Sequence, residues 1–277
     1  MITKIHLKNF KCFREEIEFD FENKAMVTIC GDNSTGKTTV LDSILLLLKK
    51  LTKDEDTKLG QYVHKGSDED SNVAFAKYQF DVDGNKLEYG IEFSEQGFIW
   101  EYAYVNENKL LERNEEKAIL YLEKPIAFQV EDKDVLFLKK LYLNTRFEGI
   151  GILKKWFDFI KRFMWLDAFS GEICMCNGKK TLDDIFGEEY SVNGDIPFEM
   201  ESRSNQIYEK IMPVMEKMTE KNSIMLVDDL NRVFAYKKQK EMLSFILEKN
   251  KATQFFLVSF YASSEIKHIT CMDAIDK

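Results

Sequence analysis

Hydrophobic and polar positions alternate through the start of the chain. Ile5, Leu7 and then Phe10 mark one short strand. Ile17, Phe19 and Phe21 mark a second, with Glu16, Glu18 and Asp20 facing outward. Residues 25–30 form a near-continuous apolar run, as expected of a strand covered on both faces. Beyond Gly36 the period lengthens, and Val40, Leu41, Ile44, Leu45 and Leu48 fall on one face of a helix predicted over 37–51. The polar stretch 52–72 reads as a surface connection. From Asn72 to Arg113 the period is two. Ala74, Ala76, Tyr78 and Phe80 lead into a turn at Asp83-Gly84, and Leu87, Tyr89, Ile91 and Phe93 lead into another at Gln96-Gly97. This predicts an antiparallel meander. Helical spacing returns over 132–166, and 167–200 read as irregular. A helix follows from about Asn205 to Lys221, interrupted or kinked at Pro213. Ser223 to Asp229 is a buried strand ending in two acids, Phe234 to Lys249 a helix, and Gln254 to Phe260 another buried strand. No internal repeat is present.

Composition narrows this picture. With 277 residues and 44% hydrophobic positions the chain can bury a real core, and 31% charged residues within such a pattern exclude disorder and low-complexity classes. The formal net charge of −9 argues against a surface coated for gripping nucleic acid, although a local basic patch is compatible with it. No run of 18 or more apolar residues exists, and the N-terminus reads as a strand and not as a signal peptide, so a cytoplasmic protein is expected. Five cysteines, only Cys174 and Cys176 of them close in sequence, fit reduced structural thiols. Only three histidines are present, which leaves little material for a zinc site.

The chemistry sits where the period changes. Gly31-Asp-Asn-Ser-Thr-Gly36-Lys37-Thr38 matches G-x-x-x-x-G-K-[ST] in full, between a predicted strand and a predicted helix. From average residue usage such a match arises by chance roughly once in 100 chains of this size. A loop of this kind turns its amides inward around phosphates. Gly31, Asn33, Ser34, Thr35, Gly36, Lys37, Thr38 and Thr39 are the binding candidates. Lys37 would reach the β- and γ-phosphates of ATP, and the Thr38 hydroxyl would join the shell of a Mg²⁺ ion. Ile224-Met-Leu-Val-Asp228-Asp229 is the second element: Asp228 as metal ligand, Asp229 as the carboxylate that polarises the attacking water. An Asp at an ordinary strand-to-helix junction is the plainer alternative. Asp81-Val-Asp-Gly84 fits D-x-x-G but is explained by the hairpin turn, and no N-K-x-D segment reads guanine.

Residues 1–13, with Asn9-Phe10-Lys11-Cys12-Phe13, followed by residues 29–39, resemble the opening of SMC/RecF-type ABC-like ATPase heads. Among those, the chain is most similar to the compact, coiled-coil-free AAA-type ATPases of bacterial abortive-infection and phage-defence systems. Leu87–Phe93 and Glu101–Arg113 resemble their β-lobe, and Asp134–Leu138 the start of their helical insert. The segment 198–206, containing Ser202 and Asn205, resembles their signature segment and lies 26 residues before Asp228. The resemblance implies an α/β ABC/SMC-type P-loop ATPase head with an antiparallel β-lobe and a small helical insert. It also implies a dimer, or higher oligomer, that sandwiches ATP, with Ser202, Ser204 and Asn205 facing the partner's γ-phosphate. A plain helix cap at Ser202 remains the alternative, and Ser170-Gly171 is the rival signature. One discontinuous head over 1–277 is expected: 1–51 strands, loop and first helix; 72–131 β-lobe; 132–200 insert; 201–277 signature, acidic strand and final strand.

Three departures bear on turnover. The second acid is Asp229 where the family has Glu. No switch histidine follows the strand at 254–259, and His268 lies further along. Arg203-Ser204 stands where the signature has its glycine. Gln61 is the nearest candidate for a γ-phosphate sensor, and Lys154-Lys155 with Lys161-Arg162 the only basic segment that would support a DNA-repair head. The expected function is therefore an ATP- and Mg²⁺-binding switch acting on a separate effector, a nuclease or toxin, in antiviral defence. The alternatives are a hydrolysis-deficient scaffold and an SMC/RecF-like DNA-repair head.

Overall fold

The computed structural model of the chain describes residues 1–32, 34–52, 57–66, 72–143, 151–175, 178–181, 202–259 and 266–271. It opens with β1 (Ile2–Lys8), β2 (Ile17–Asp20), β3 (Met26–Cys30) and α1 (Lys37–Thr52), then a single 3-10 turn, Leu59–Gln61. Six strands follow: β4 (Ala74–Val82), β5 (Asn85–Ser94), β6 (Gly97–Val105), β7 (Asn108–Arg113), β8 (Lys117–Leu120) and β9 (Ile126–Gln129). Next come α2 (Phe137–Leu143), α3 (Gly151–Ile160), β10 (Met164–Asp167), β11 (Glu172–Met175) and β12 (Gly178–Thr181). The last third holds α4 (Arg203–Thr219), β13 (Ile224–Asp228), α5 (Leu230–Val233), α6 (Tyr236–Lys249), β14 (Gln254–Val258) and β15 (Lys267–Thr270). Two compact units emerge, one of 1–24, 31–158 and 271–277, the other of 25–30 and 159–270.

The first unit is built on an antiparallel sheet in the order β2-β1-β4-β5-β6-β7-β8-β9. The period-two pattern fixes its register: Ala76 pairs with Ile91, Tyr78 with Tyr89 and Phe80 with Leu87, so the apolar sets share one face. Tyr78 donates from its hydroxyl to the Ser43 carbonyl of α1 at 2.7 Å, and full burial pushes its phenol far above the usual tyrosine range. The helix is buried around nearly its whole circumference from Thr39 to Leu48, Asp42 apart, where the sequence predicted one buried face. Asp42 is ion-paired with Lys11. Opposite Gly90 on β6 lies the Tyr102 ring, only 2.2 Å from where a Cβ on Gly90 would stand. Gly90→Val is expected to cost about 1–3 kcal/mol, read as a lowered urea midpoint at unchanged slope.

Glu101 and Arg113 are fully buried and face each other on β6 and β7, Nη1 to Oε2 at 3.4 Å. The Glu101 carboxylate also accepts from the Tyr89 hydroxyl at 2.8 Å and from the Phe137 and Leu138 amides at 2.7 and 2.9 Å. It thus satisfies the orphan donors at the start of α2. Arg113 donates onward to the Val135 carbonyl at 3.0 Å and the Asp132 carbonyl at 3.4 Å. The Trp156 ring of α3 packs against Phe80 and Tyr89 at centroid distances of 5.2 and 5.6 Å, and Phe157 stacks on Tyr142 at 4.3 Å. These contacts seat the helical insert on the lobe.

The second unit is a sheet in the order β12-β11-β10-β13-β14-β3-β15. β10, β13, β14, β3 and β15 run parallel, and β11 and β12 extend the sheet antiparallel. Near-continuous apolar strands such as Ile224–Val227 and Phe255–Val258 are fully buried, as parallel strands must be. A methionine-rich core including Met215, Met218, Met225 and Met242 packs α4 and α6 on this sheet. Two expectations are corrected here. Residues 164–167 form a strand and not the end of a helix. The stretch predicted irregular contains β11 and β12. The helix predicted over Phe234–Lys249 is α6, which starts at Tyr236 after the short α5. α4 runs on through Pro213 without the interruption that its sequence suggested. Among the described residues no helix is long and apolar enough to cross a membrane.

Candidate functional site

The loop after β3 has the backbone its sequence demands. Gly31 and Gly36 have φ of +141° and +96°, and Ser34 has φ +69°. Positive φ alternating with ordinary backbone is how a chain aims successive N–H groups into one concavity, an anion-binding nest. A Cβ on Gly31 would stand 2.4 Å from the Cys271 carbonyl oxygen, and one on Gly36 2.6 Å from the Phe13 ring, so neither position accepts a side chain. α1 starts at Lys37 and contributes the positive end of its dipole. Lys37 Nζ donates to the Gly31 carbonyl at 3.0 Å and the Asp32 carbonyl at 2.5 Å, which places the ammonium over the loop. Thr35 donates to the Asp32 carbonyl at 3.0 Å and is buried, Thr38 is exposed, and the buried Thr39 hydroxyl accepts from the Cys12 thiol at 3.2 Å. Asn33 lies outside the described residues. The loop amides, the Lys37 ammonium and the hydroxyl of the exposed Thr38 make a donor set that fits a polyphosphate with a hard cation.

Asp228 ends β13 and is 6% exposed. β14 separates β13 from β3, and all three are parallel, so Asp228 and Cys30, the residue before the loop, lie on the same carboxyl edge of the sheet. Asp228 Oδ1 accepts from the Asp229 amide at 2.9 Å. Asp229 has left-handed backbone, φ +56° and ψ +20°, and its carboxylate receives Arg232 Nη1 at 2.7 Å. It stands at the N-cap position between β13 and α5, the strand-to-helix junction of the plainer alternative, but makes no side-chain cap to that helix.

Ser202 is the N-cap of α4, accepting from the Asn205 amide at 3.3 Å. Such a cap is worth about 1 kcal/mol. Asn205 Oδ1 receives Lys238 Nζ at 2.5 Å. The rest of the segment, 198–201, lies outside the described residues, as do Cys176 and the positions 260–261 beside the missing switch histidine. The rival Ser170-Gly171 is the turn after β10. Ser170 Oγ donates to Asp167 Oδ2 at 2.7 Å, and Asp167 stands in register with Asp228. The two candidates meet at Phe169, whose ring lies 5.1 Å from the Arg203 guanidinium and 4.4 Å from that of Arg232. Sequence reading missed Asp167, Phe169, Arg203 and Arg232 as a group. Met164-Trp-Leu-Asp167 repeats the apolar-run-then-Asp pattern of β13, which was a usable signal.

Gln61 is exposed on the 3-10 turn. His268 is on β15, on the far side of β3 from β14. Of the basic segment, Lys155 is paired with Asp83 at 2.5 Å, which holds that carboxyl below its ordinary range.

A parallel sheet with a strand, glycine loop and helix in succession, together with a large antiparallel sheet in the chain's other unit, is the fold of an ABC/SMC-type P-loop ATPase head. Among similar solved structures, the SMC head domain from Thermotoga maritima has a TM-score of 0.53 at 17% identity, over 99% of this chain and 92% of that one. An SmcHead bound to the C-winged helix domain of ScpA gives 0.52 at 15% identity, over 99% and 96%. No curated protein matches the chain. A family model described as an AAA domain matches residues 4–274, and the chain belongs to that AAA domain family.

Proposed function

We propose that the chain binds ATP with Mg²⁺, pairs with a second copy through its nucleotide face, and controls a separate effector, a nuclease or toxin, in antiphage defence. The loop Gly31–Thr39 takes the phosphates, and the Thr38 hydroxyl and Asp228 carboxylate are the oxygen ligands for the metal. The metal, when bound, neutralises charge that develops on the transferred phosphoryl group. Asp229 orients the attacking water, and Ser202 with Asn205 faces the partner's nucleotide. The observation that carries this reading is the shared carboxyl edge, on which β13 ends in Asp228 and β3 delivers the phosphate loop. Dimerisation and defence rest on the family resemblance. A protein partner is supported by the acidic balance of the chain and by the solved SMC head bound to a ScpA domain.

One observation favours a second reading, a scaffold that binds ATP without turning it over. Asp229 is a methylene shorter than Glu and is held by Arg232, and a shortfall on the order of 1 Å in a catalytic group can cost ~10²-fold in rate. Phosphate release by the purified chain, alone and with its effector, separates the two. Turnover that falls by about 10³-fold in Asp228→Ala and Asp229→Ala is expected for the switch. Absence of turnover in every assembly leaves the scaffold.

A further inference from the structure

Beside the phosphate loop lies a pair of side chains that nucleotide binding does not use. β15 runs parallel to β3 with His268 opposite Thr28 and Thr270 opposite Cys30. The His268 ring lies along β3, Nδ1 2.8 Å from Thr28 Oγ1 and Nε2 2.8 Å from Cys30 Sγ. Thr270 Oγ1 is 3.5 Å from the same sulfur. A neutral imidazole donates from one nitrogen and accepts at the other. If Nδ1–H donates to the buried Thr28 hydroxyl, Nε2 is left as an acceptor facing the thiol. Cys30 is half-buried and His268 exposed, so the sulfur is within reach of a small reagent from solvent. Cys12, also half-buried, donates instead to the Thr39 hydroxyl, which makes it an internal reference.

The geometry points to Cys30 as a thiol modification site, with His268 as its general base and hydrogen peroxide as its reagent. The sulfur attacks one peroxide oxygen; the S–O bond forms as the O–O bond breaks. The thiol proton passes to His268 Nε2 and then to the departing oxygen, giving a sulfenic acid and water. The sulfur gives up two electrons and the peroxide gains them. The consequence reaches the loop through the chain itself. An oxygen added to a sulfur in contact with Nε2 crowds the ring that β15 carries. That strand ends at Thr270, and the following carbonyl, that of Cys271, is the group packed against Gly31. Sulfenylation therefore displaces the first glycine of the loop and weakens nucleotide binding. This last step, unlike the modification itself, rests on the ATP-binding reading above.

The test treats the full-length chain with limiting hydrogen peroxide, traps the sulfenic acid with dimedone, and follows each cysteine by peptide mass mapping. Cys30 is expected to be trapped roughly tenfold or more faster than Cys12, with His268→Gln bringing it into the range of Cys12. If His268→Gln does not fold, His268→Asn takes its place. Equal rates for the two thiols, or a Cys30 rate unchanged by loss of the imidazole, would overturn the assignment. Calorimetry with ATP before and after peroxide reads the coupling. Affinity lost in the treated wild type, restored by a thiol reductant and unaffected in Cys30→Ser, supports it. Unchanged affinity after complete sulfenylation removes it. If the untreated chain binds no ATP, the nucleotide reading fails, and the trapping rates still decide the modification site.

Discussion

Lys37→Ala is expected to lower ATP affinity by at least about 100-fold, to the point where calorimetry detects no binding. The ammonium donates to the Gly31 and Asp32 carbonyls and lies over the loop. Two charge-assisted hydrogen bonds to phosphate at about 1.5 kcal/mol each amount to about 3 kcal/mol, or two decades in Kd. The net charge of −9 provides no compensating background, so the loss cannot be masked by a general positive field. Stability should hold, because a cation in the first turn of α1 opposes the helix dipole and its removal relieves that term. Unchanged affinity in a folded variant would strip the loop of its assigned role.

Glu101→Ala has the largest expected effect on stability, about 3–5 kcal/mol, measured by urea unfolding. Removal of the carboxylate leaves the fully buried Arg113 guanidinium without its acid and strands the Phe137 and Leu138 amides and the Tyr89 hydroxyl. Against a typical total of 5–15 kcal/mol, that is enough to depopulate the folded lobe at ambient temperature. Glu101→Gln keeps one acceptor oxygen but turns an amide NH₂ toward donors, so it should fall between the wild type and the alanine variant. A loss below about 1 kcal/mol for Glu101→Ala would show that this network contributes little.

The phosphate loop and the meander were legible from the sequence because local physics dictates them. A glycine pattern before a helix leaves few alternatives, and period-two alternation from Ala74 to Phe93 sets the register that pairs Tyr78 with Tyr89. Legibility failed where pairing is non-local. β10 owes its strand state to β13, more than fifty residues away, and only the likeness of Met164-Trp-Leu-Asp167 to the β13 run sets it apart from the helical spacing before it. β15 is a four-residue edge strand held by β3, some 240 positions earlier. The buried strand that ends at Asp228 could be read from its apolar run. The Arg203, Phe169 and Arg232 cluster could not, because its members are brought together only by three separate elements. Ser202 shows the limit of motif reading: the same hydroxyl that resembles a signature serine caps its own helix.

The position of Glu101 also dictates how the first unit breathes. The opening amides of a seven-residue helix would ordinarily exchange with deuterium within the fraying regime. Here the amides of Phe137 and Leu138 end on a carboxylate anchored in β6 and matched by β7. They can exchange only when the sheet itself opens, so α2 should share the slow exchange class of the central strands, and its first turn reports global unfolding of the lobe.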